Sequence, residues 1–473
     1  MRIVVIGGSA AGLLAALLLA RAGHRVEVLE RDERPIEPDV EAAAAAAFRA
    51  GAPQVMHPHV VPARCREVLA QHLPDVLEAW RRAGVVEAPL ASQMPPSLPD
   101  TTAWSGDERL SLTLARRSTV DWVLRRCAAE EPGIDVREGV AVTGLLAESV
   151  DPPLVTGVTT AAGPVPADVV LDASGRRTGL DSWLTAIGAR PSALEAAECG
   201  IAYYTRHFRV ADHAALPAPS TTRTVLPLDE FMIGIWGADH DTMLITLCPL
   251  TTDRRFAAAR APGPYTAVVR SVPYYAAWLD ALEPISDVYP MAGLHNTLRR
   301  LVVDGRPVVL GLHAVGDVVC TTNPTMSRGL SLTALGIVDL AAALAAHPDD
   351  PYAQAIALDR GVTEHVEPFY TDQAAVDAER LAILRHIALG APAPPPAPHV
   401  PERVGLAELR AASPHDPHAF RAYWTVMGML APPEEVYRDP EVVAHVRRVT
   451  TAGPPRPAQP THEELTTALA GVR

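Results

Sequence analysis

The stretch RIVVIGGSAAGLLAALLLARAGHRVEVLERD, residues 2–32, leaves this chain few ways to fold. RIVVI is a short β-branched run that ends in glycine. AAGLLAALLLAR consists of helix formers and stops at Gly23, where a residue just past a helix end belongs. HRVEVLERD is a second strand pattern ending in acid. Strand, helix and strand in this order predict a βαβ unit. Gly7, Ser9 and Gly12 occupy the three positions of a dinucleotide-binding fingerprint, with Ser9 in place of its second glycine. Gly7 allows a tight turn, a small residue at 9 lets a pyrophosphate approach the backbone, and Gly12 lets the helix pack closely on the strand. Glu30 ends the second strand, where a carboxylate can accept both hydroxyls of an adenosine ribose and would repel a 2′-phosphate. FAD or NAD therefore fits better than NADP. The alternative is an ordinary glycine-containing turn between strand and helix.

The chain has 473 residues, enough for a large core and more than one lobe. A composition of 48% hydrophobic and 20% charged residues is globular, and the net charge of −14 offers no broad cationic face. Neither nucleic acid nor a membrane is expected as a partner. Every basic residue other than histidine is arginine, which excludes Schiff-base chemistry and a catalytic lysine. Cys65, Cys127, Cys199, Cys248 and Cys320 form no CxxC and read as reduced thiols of a cytoplasmic protein. No apolar run is expected to reach the ~18 residues that span a bilayer. The N-terminus imitates a signal peptide, but Gly7-Gly8-Ser9 interrupts its apolar stretch.

A second informative stretch is GDVVCTTNPTMSRGLSLTALG, 316–336. An apolar run from Pro307 to Val315 leads into Asp317, a loop containing Pro324, and a helix that begins near Gly329. Such a helix start offers free N–H groups and a partial positive charge to something electron-rich. Between these ends, residues 114–148 predict a helix with Val120, Leu124 and Cys127 on one face, then a strand pair around Val136 and Val142. ADVVLDASGRR predicts a buried strand from Val169 to Leu171, ending in Asp172 and Gly175.

Five stretches occur together in order: GGSAAG with LERD, GAPQVMHPH, RSTVDWVLR, DASGR, and GDVVCTTNPTMSRGLSLTA. With them the chain resembles the FAD-dependent monooxygenases of the aromatic-hydroxylase type, a group that includes epoxidases and hydroxylases of specialised metabolites. The resemblance covers about the first 340 residues and is loose beyond. It implies an α/β fold: a Rossmann-like FAD-binding domain (1–195 and 296–345), an antiparallel-sheet substrate domain (196–295) and a C-terminal helical region (346–473) with a proline-rich linker at 391–401. It implies that Gly7, Ser9, Ala10, Ala11 and Gly12 lie under the FAD pyrophosphate, that Glu30 binds the adenosine ribose with Arg31 beside it, and that Arg49 and Arg117 flank the cofactor. Val142 would offer backbone to the adenine. Asp172 and Gly175 would form a second dinucleotide-associated motif. Asp317 would hold the ribityl chain, Pro324 would shape the loop below the ring, and the backbone at Gly329 and Leu330 would face the flavin's pyrimidine edge. Where the family often has an arginine before the first histidine of GAPQVMHPH, this chain has Met56.

From Cys199 to about residue 300, strand patterns predict the antiparallel sheet, which in the resembling family roofs the substrate pocket. Tyr203, Tyr204, Arg206, Phe231 and Trp236 are the pocket candidates. His57 and His59 stand two apart without a third ligand, and no metal is expected. EAAAAAAF, 41–48, predicts an exposed helix. HAFRAYWTVMGML and PEVVAHVRRV predict tail helices, and a mobile AGPPRPAQPTHEEL leads to a last short helix from about Thr461. The implied activity is insertion of one oxygen atom from dioxygen into an apolar or aromatic metabolite, by epoxidation or hydroxylation through a flavin hydroperoxide, with electrons from NAD(P)H directly or through a partner flavin reductase. The alternatives are a non-oxygenating flavoprotein, such as a double-bond reductase or cyclase, and a flavin-free relative that binds lipid or protein. No general base stands out. A halogenase of the kind that uses a lysine and a Trp-x-Trp motif is excluded.

Overall fold

Strand Arg2–Ile6 lies at the centre of a five-stranded parallel sheet. Its neighbours are Arg25–Leu29 and then Ile134–Arg137 on one side, and Val169–Asp172 and then Leu312–Ala314 on the other. In chain order that is 3-2-1-4-5, the order of doubly wound dinucleotide-binding sheets. Alternate residues of these strands feed two separate cores. Ile3, Val5, Val26, Val28 and Leu171 pack against helices Ala10–Arg21, Arg117–Glu130 and Gly329–Ala346. Val4, Ile6, Leu29 and Val170 pack against a three-stranded sheet spanning Val142–Pro166. Burial on both faces is why the strands read as continuous apolar runs. The computed structural model describes residues 1–49, 52–217, 225–395, 400–449 and 457–471.

The second lobe is an antiparallel sheet ordered Val225–Pro227, Phe231–Gly237, Thr242–Pro249, Tyr203–Val210 and Leu282–Met291. Its outer face is covered by helices Pro262–Arg270 and Pro273–Leu279 and by the last helix, His462–Ala470. Thr461 caps that last helix in a reciprocal pair with Glu464, and Leu465 and Leu469 enter the lobe's core. The lobe is thus not sheet alone, and the end of the chain completes its core.

The lobes join through a ribbon. Ala193–Glu198 pairs with His295–Arg300, and Cys320–Thr321 adds a third strand. The boundaries expected at 195/196 and 295/296 fall inside these paired strands. The chain therefore crosses between lobes as hydrogen-bonded β structure, not as two loops.

Three further expectations need correction. Val136 and Val142 do not pair: Ile134–Arg137 ends the parallel sheet, while Val142–Glu148 belongs to the three-stranded one. Helix Val40–Ala45 is not simply exposed, because Val40 and Ala43 are buried and Glu41 pairs with Arg116 and Arg209. Helix Gly329–Ala346 is long and apolar enough to cross a membrane by length and composition. It is instead a core helix, apolar because Leu330, Ala334, Ile337, Leu340 and Leu344 all contribute to the first core. Within the expected linker, residues 396–399 lie outside the described residues, as do 450–456 of the tail.

Candidate functional site

Gly7 takes φ +104°, and a Cβ there would lie 2.8 Å from the Ala173 carbonyl oxygen. At Gly12 a Cβ would lie 1.8 Å from the Gly7 carbonyl oxygen. Both glycines are demanded by close backbone approach, and together they lay the first helix across the end of the sheet. That helix starts at Ala10 with Ser9 as N-cap, yet Ser9 makes no side-chain cap bond and the first turn holds no acidic residue. Helix Gly329–Ala346 starts in the same way, with no side-chain cap and no acid in its first turn. Free N–H groups and the helix dipole make each end a receptor for negative charge.

One residue brings the two ends together. Gly316, at φ +65°, sits where a Cβ would be 3.0 Å from Ala11 Cβ and 3.4 Å from Thr333 Oγ1. The segment Gly316–Val318 is thus wedged between the first turns of both helices, with Asp317 at its middle. Burial raises the Asp317 carboxyl above its ordinary value, against the opposing pull of Arg117 and Arg176. At Gly329 an added Cβ would meet nothing within 4 Å, so the second helix opens on free space.

Cationic side chains gather at the first helix. Arg49 donates to Ser9 Oγ (3.3 Å) and lies 3.7 Å from Asp121 Oδ2. Arg117 donates to Asp121 Oδ1 (2.7 Å) and contacts His59 Nε2 (3.2 Å). Burial works to raise the Asp121 carboxyl, yet Arg117, Arg49 and Arg34 together hold it below its ordinary value. Burial, then Arg34's charge, lowers Arg49; burial, then Arg125's charge, lowers Arg34. Arg49 Nε and Arg34 Nη1 are buried without a partner among the described residues. Buried unpaired donors of this kind are costly unless an anion completes them. The FAD pyrophosphate fits that deficit.

At the end of the second strand, Glu30 is 8% exposed and accepts from the Gly8 N–H (2.7 Å) and the Asp32 N–H (3.0 Å). Each carboxylate oxygen keeps a lone pair for a ribose hydroxyl. The Val140 N–H donates to the Glu30 carbonyl (2.9 Å), which brings Val142 to the same corner. Arg31 is exposed and only near Asp32, at 3.7 Å. Asp172 is fully buried and spent on its own turn: it accepts from Ser174 N–H (2.9 Å), Ser174 Oγ (2.6 Å) and Thr178 Oγ1 (2.5 Å). It shapes the turn that carries Ala173 and Ser174 against Gly7 and leads to Gly175.

The loop bearing Pro324 is clamped from three sides. Tyr203 of the second lobe donates through its hydroxyl to Asn323 Oδ1. Asn323 Nδ2 and Asn296 Nδ2 both donate to the wholly buried Asp377 (2.9 and 2.8 Å). Arg328, 1% exposed, turns away to donate to the Phe369 carbonyl (2.7 Å) and to Asp372.

Of the five expected pocket residues, three face the wrong way. Tyr204 and Phe231 belong to the outer core, and Arg206 donates outward to the Ser286 carbonyl (2.9 Å). Strand alternation puts Tyr203, Thr205 and His207 on the other face, toward the first lobe. Trp236 lies on that face too, its ring occupying the space a Gly234 side chain would need. Several inner-face contacts were not expected. Thr205 Oγ1 contacts both His57 Nδ1 (2.7 Å) and Thr246 Oγ1 (2.8 Å), and His207 Nε2 contacts the Met56 carbonyl (2.8 Å). The period-two pattern of YYTRHF held the signal, because adjacent tyrosines on one strand cannot share a face.

His57 is fully buried and its Nε2 has no partner among the described residues. Burial, then the charges of His207 and His59, pushes it down to about 3. Burial likewise pushes His313 down to about 4. A histidine depressed in the folded state binds protons more weakly there than in the unfolded chain, so stability is lost as pH falls below about 6.5. Each should contribute a slope of about 1.4 kcal/mol per pH unit between its folded value and ~6.5. Urea midpoints from pH 4.5 to 7 should rise with pH, and His57→Gln should remove one such slope. Raised carboxyls such as Asp317 act in both proteins and cancel in the difference; equal slopes would contradict the assignment.

The fold is that of the FAD-dependent monooxygenases of the aromatic-hydroxylase type. The NAD(P)-binding Rossmann-like domain family matches residues 5–36. Protein Rv3254 of Mycobacterium tuberculosis is 27% identical over 373 residues, covering 72% of this chain and 73% of its own length. PqsL, a probable FAD-dependent monooxygenase from Pseudomonas aeruginosa, superposes with a TM-score of 0.59 at 15% identity, over 82% of this chain and 96% of its own. The flavin-dependent brominase Bmp2 superposes with a TM-score of 0.62 at 17% identity, over 95% of this chain and 98% of its own. At these identities the structural likeness is one of fold.

Proposed function

We propose that this chain binds FAD in the cleft and is a monooxygenase acting on an apolar or aromatic small molecule. The observation that carries the reading is the close packing of Gly316 against Ala11 and Thr333, which brings two uncapped helices and the neighbouring Asp317 together. The first helix start, with Arg49 and Arg34, would hold the pyrophosphate; Glu30 would take the ribose and Asp317 the ribityl hydroxyls. The start at Gly329 would stabilise negative charge on the flavin's pyrimidine edge. Bound reduced flavin would supply the activation of dioxygen, and a nicotinamide would supply the electrons, directly or through a reductase.

The protein's own part is position and dryness. Tyr203 ties the roof sheet to the Pro324 loop, so the sheet would cover the bound cofactor as a fixed lid. At Tyr203, Thr205, Met232, Gly234, Trp236, Thr246 and Cys248 the inner face carries no ionised group. His57 stays neutral and is too weak a base to deprotonate a phenol, since its value lies near 3. Epoxidation of an electron-rich double bond needs no such base, and we favour it over phenol hydroxylation. A lysine-dependent halogenation is foreclosed by the lysine-free sequence.

The test uses holoprotein, reduced flavin, candidate polyene and aromatic substrates, and isotopically labelled dioxygen. The product should carry one labelled oxygen atom. Product formed equally well without dioxygen would replace this reading with a reductase or a cyclase.

A further inference from the structure

We propose that the C-terminal helices bind one divalent transition-metal ion, best matched by Zn2+, through His418, Glu441 and His445. His418 lies in the first turn of helix Pro417–Met427. Glu441 and His445 lie four apart on helix Pro440–Val449 and so share a face. One ligand atom from each of the three lies within 4.8 Å of the others. The two imidazoles stack at 3.9 Å between centroids and 28° between planes, so one ring must turn for both in-plane lone pairs to meet one ion.

The surroundings are arranged as metal-ligating histidines require. His445 Nδ1–H donates to Asp416 Oδ2 at 2.8 Å, which leaves the Nε2 lone pair free. A carboxylate behind a ligating histidine fixes its tautomer and raises its basicity. Asp416 is itself rigid, because its Oδ1 caps the helix by accepting from the His418 and Ala419 N–H groups (both 2.9 Å). The His418 ring is held edge-on by Trp104 at 4.4 Å. Arg421 stacks over Trp104 at 3.8 Å, with its charge met by both oxygens of Asp107 (2.7 Å each). Glu441 Oε1 lies 3.5 Å from His418 Nδ1.

Two imidazoles and one carboxylate suit Zn2+, which takes such ligands at about 2.0–2.2 Å and leaves a fourth position to water. Mg2+ and Ca2+ favour all-oxygen sets. Ligand atoms of a tetrahedral site stand about 3.3 Å apart, given those bond lengths. Glu441 Oε1 already stands near that spacing from His418 Nδ1, and Glu441 is exposed and free to turn toward the ion. Asp416 and Glu441 balance the ion's two charges. The ion would cross-link two tail helices away from the cofactor cleft, so the inference stands whatever the flavin chemistry proves to be. Sequence spacing hid it, since His418 and His445 come from different helices, and no metal was expected.

The experiment strips the full-length protein with a chelator and titrates Zn2+ against a chromophoric competitor, with thermal melts in parallel. One equivalent should bind and raise Tm, and millimolar Mg2+ should do neither. His418→Ala and His445→Ala should each weaken binding at least about 100-fold, and Asp416→Asn about 10- to 100-fold. Glu441→Gln changes only an exposed side chain and should cost about 10-fold or more, which keeps the test decisive should the histidine variants fold poorly. No stoichiometric binding by the wild type, or undiminished affinity in Glu441→Gln and the double-histidine variant, would overturn the proposal.

Discussion

Gly12→Val protein should purify without a yellow chromophore and bind added FAD at least about 100-fold more weakly than wild type, a loss of about 2.7 kcal/mol. The cause is steric. Even a single methyl at residue 12 would sit 1.8 Å from the Gly7 carbonyl oxygen, far inside van der Waals contact. The obstacle is backbone, not a flexible side-chain end, so the helix must lift from the strand or the Gly7–Ser9 turn must move. Either displacement takes the N–H groups of the first turn out of register with a pyrophosphate. Overpacking of this kind also costs about 1–3 kcal/mol of stability, so circular dichroism must show that the variant folds. Gly263→Ala is the matched control: an added Cβ there meets nothing within 4 Å. Wild-type FAD affinity in folded Gly12→Val would remove the first helix start from the cofactor site.

Asp239→Ala should lower stability by about 3–5 kcal/mol, the range for breaking a buried ion pair from one side. Asp239 is wholly buried at the tip of the hairpin joining strands Phe231–Gly237 and Thr242–Pro249. It accepts from Arg116 N–H (2.6 Å), Nε (2.9 Å) and Nη2 (2.6 Å), and from Thr119 Oγ1 (2.7 Å). It thus latches the roof sheet to the start of helix Arg117–Glu130. Without it, among the described residues, the Arg116 guanidinium keeps only Glu41, at 2.6 Å, and Thr119 keeps no side-chain acceptor. Since Arg117 follows directly, FAD affinity should fall as well. Urea unfolding measures the first effect and flavin titration the second. A loss under about 1 kcal/mol would mean that Glu41 alone compensates Arg116, as an exposed pair can.

The first βαβ unit was legible because its determinants are local. A strand, a glycine turn, a helix and an acid are successive in residues 2–30, and backbone sterics alone require glycine at 7 and 12. Asp317 and the bare start at Gly329 were legible for the same reason, being properties of one continuous stretch. Asp172 shows the limit: its position in the motif was readable, but its three hydrogen bonds to its own turn were not.

The pocket side was misread at Tyr204, Arg206 and Phe231. Composition marks an aromatic on a strand, but only register against a core says which face it takes. Here the helices after Pro262 and the last helix from His462, distant in sequence, bury the outer face and assign those side chains to it. Two buried links, Asp239 to Arg116 between the lobes and Asn323 to the C-terminal helix residue Asp377, pair residues 123 and 54 positions apart, and no local spacing encodes them. The sequence by itself determined the elements and the backbone turns, because steric and capping rules act over a few residues. The tertiary structure alone decided which faces are buried, which charges are paired and where His418 meets His445, because those depend on how distant segments pack.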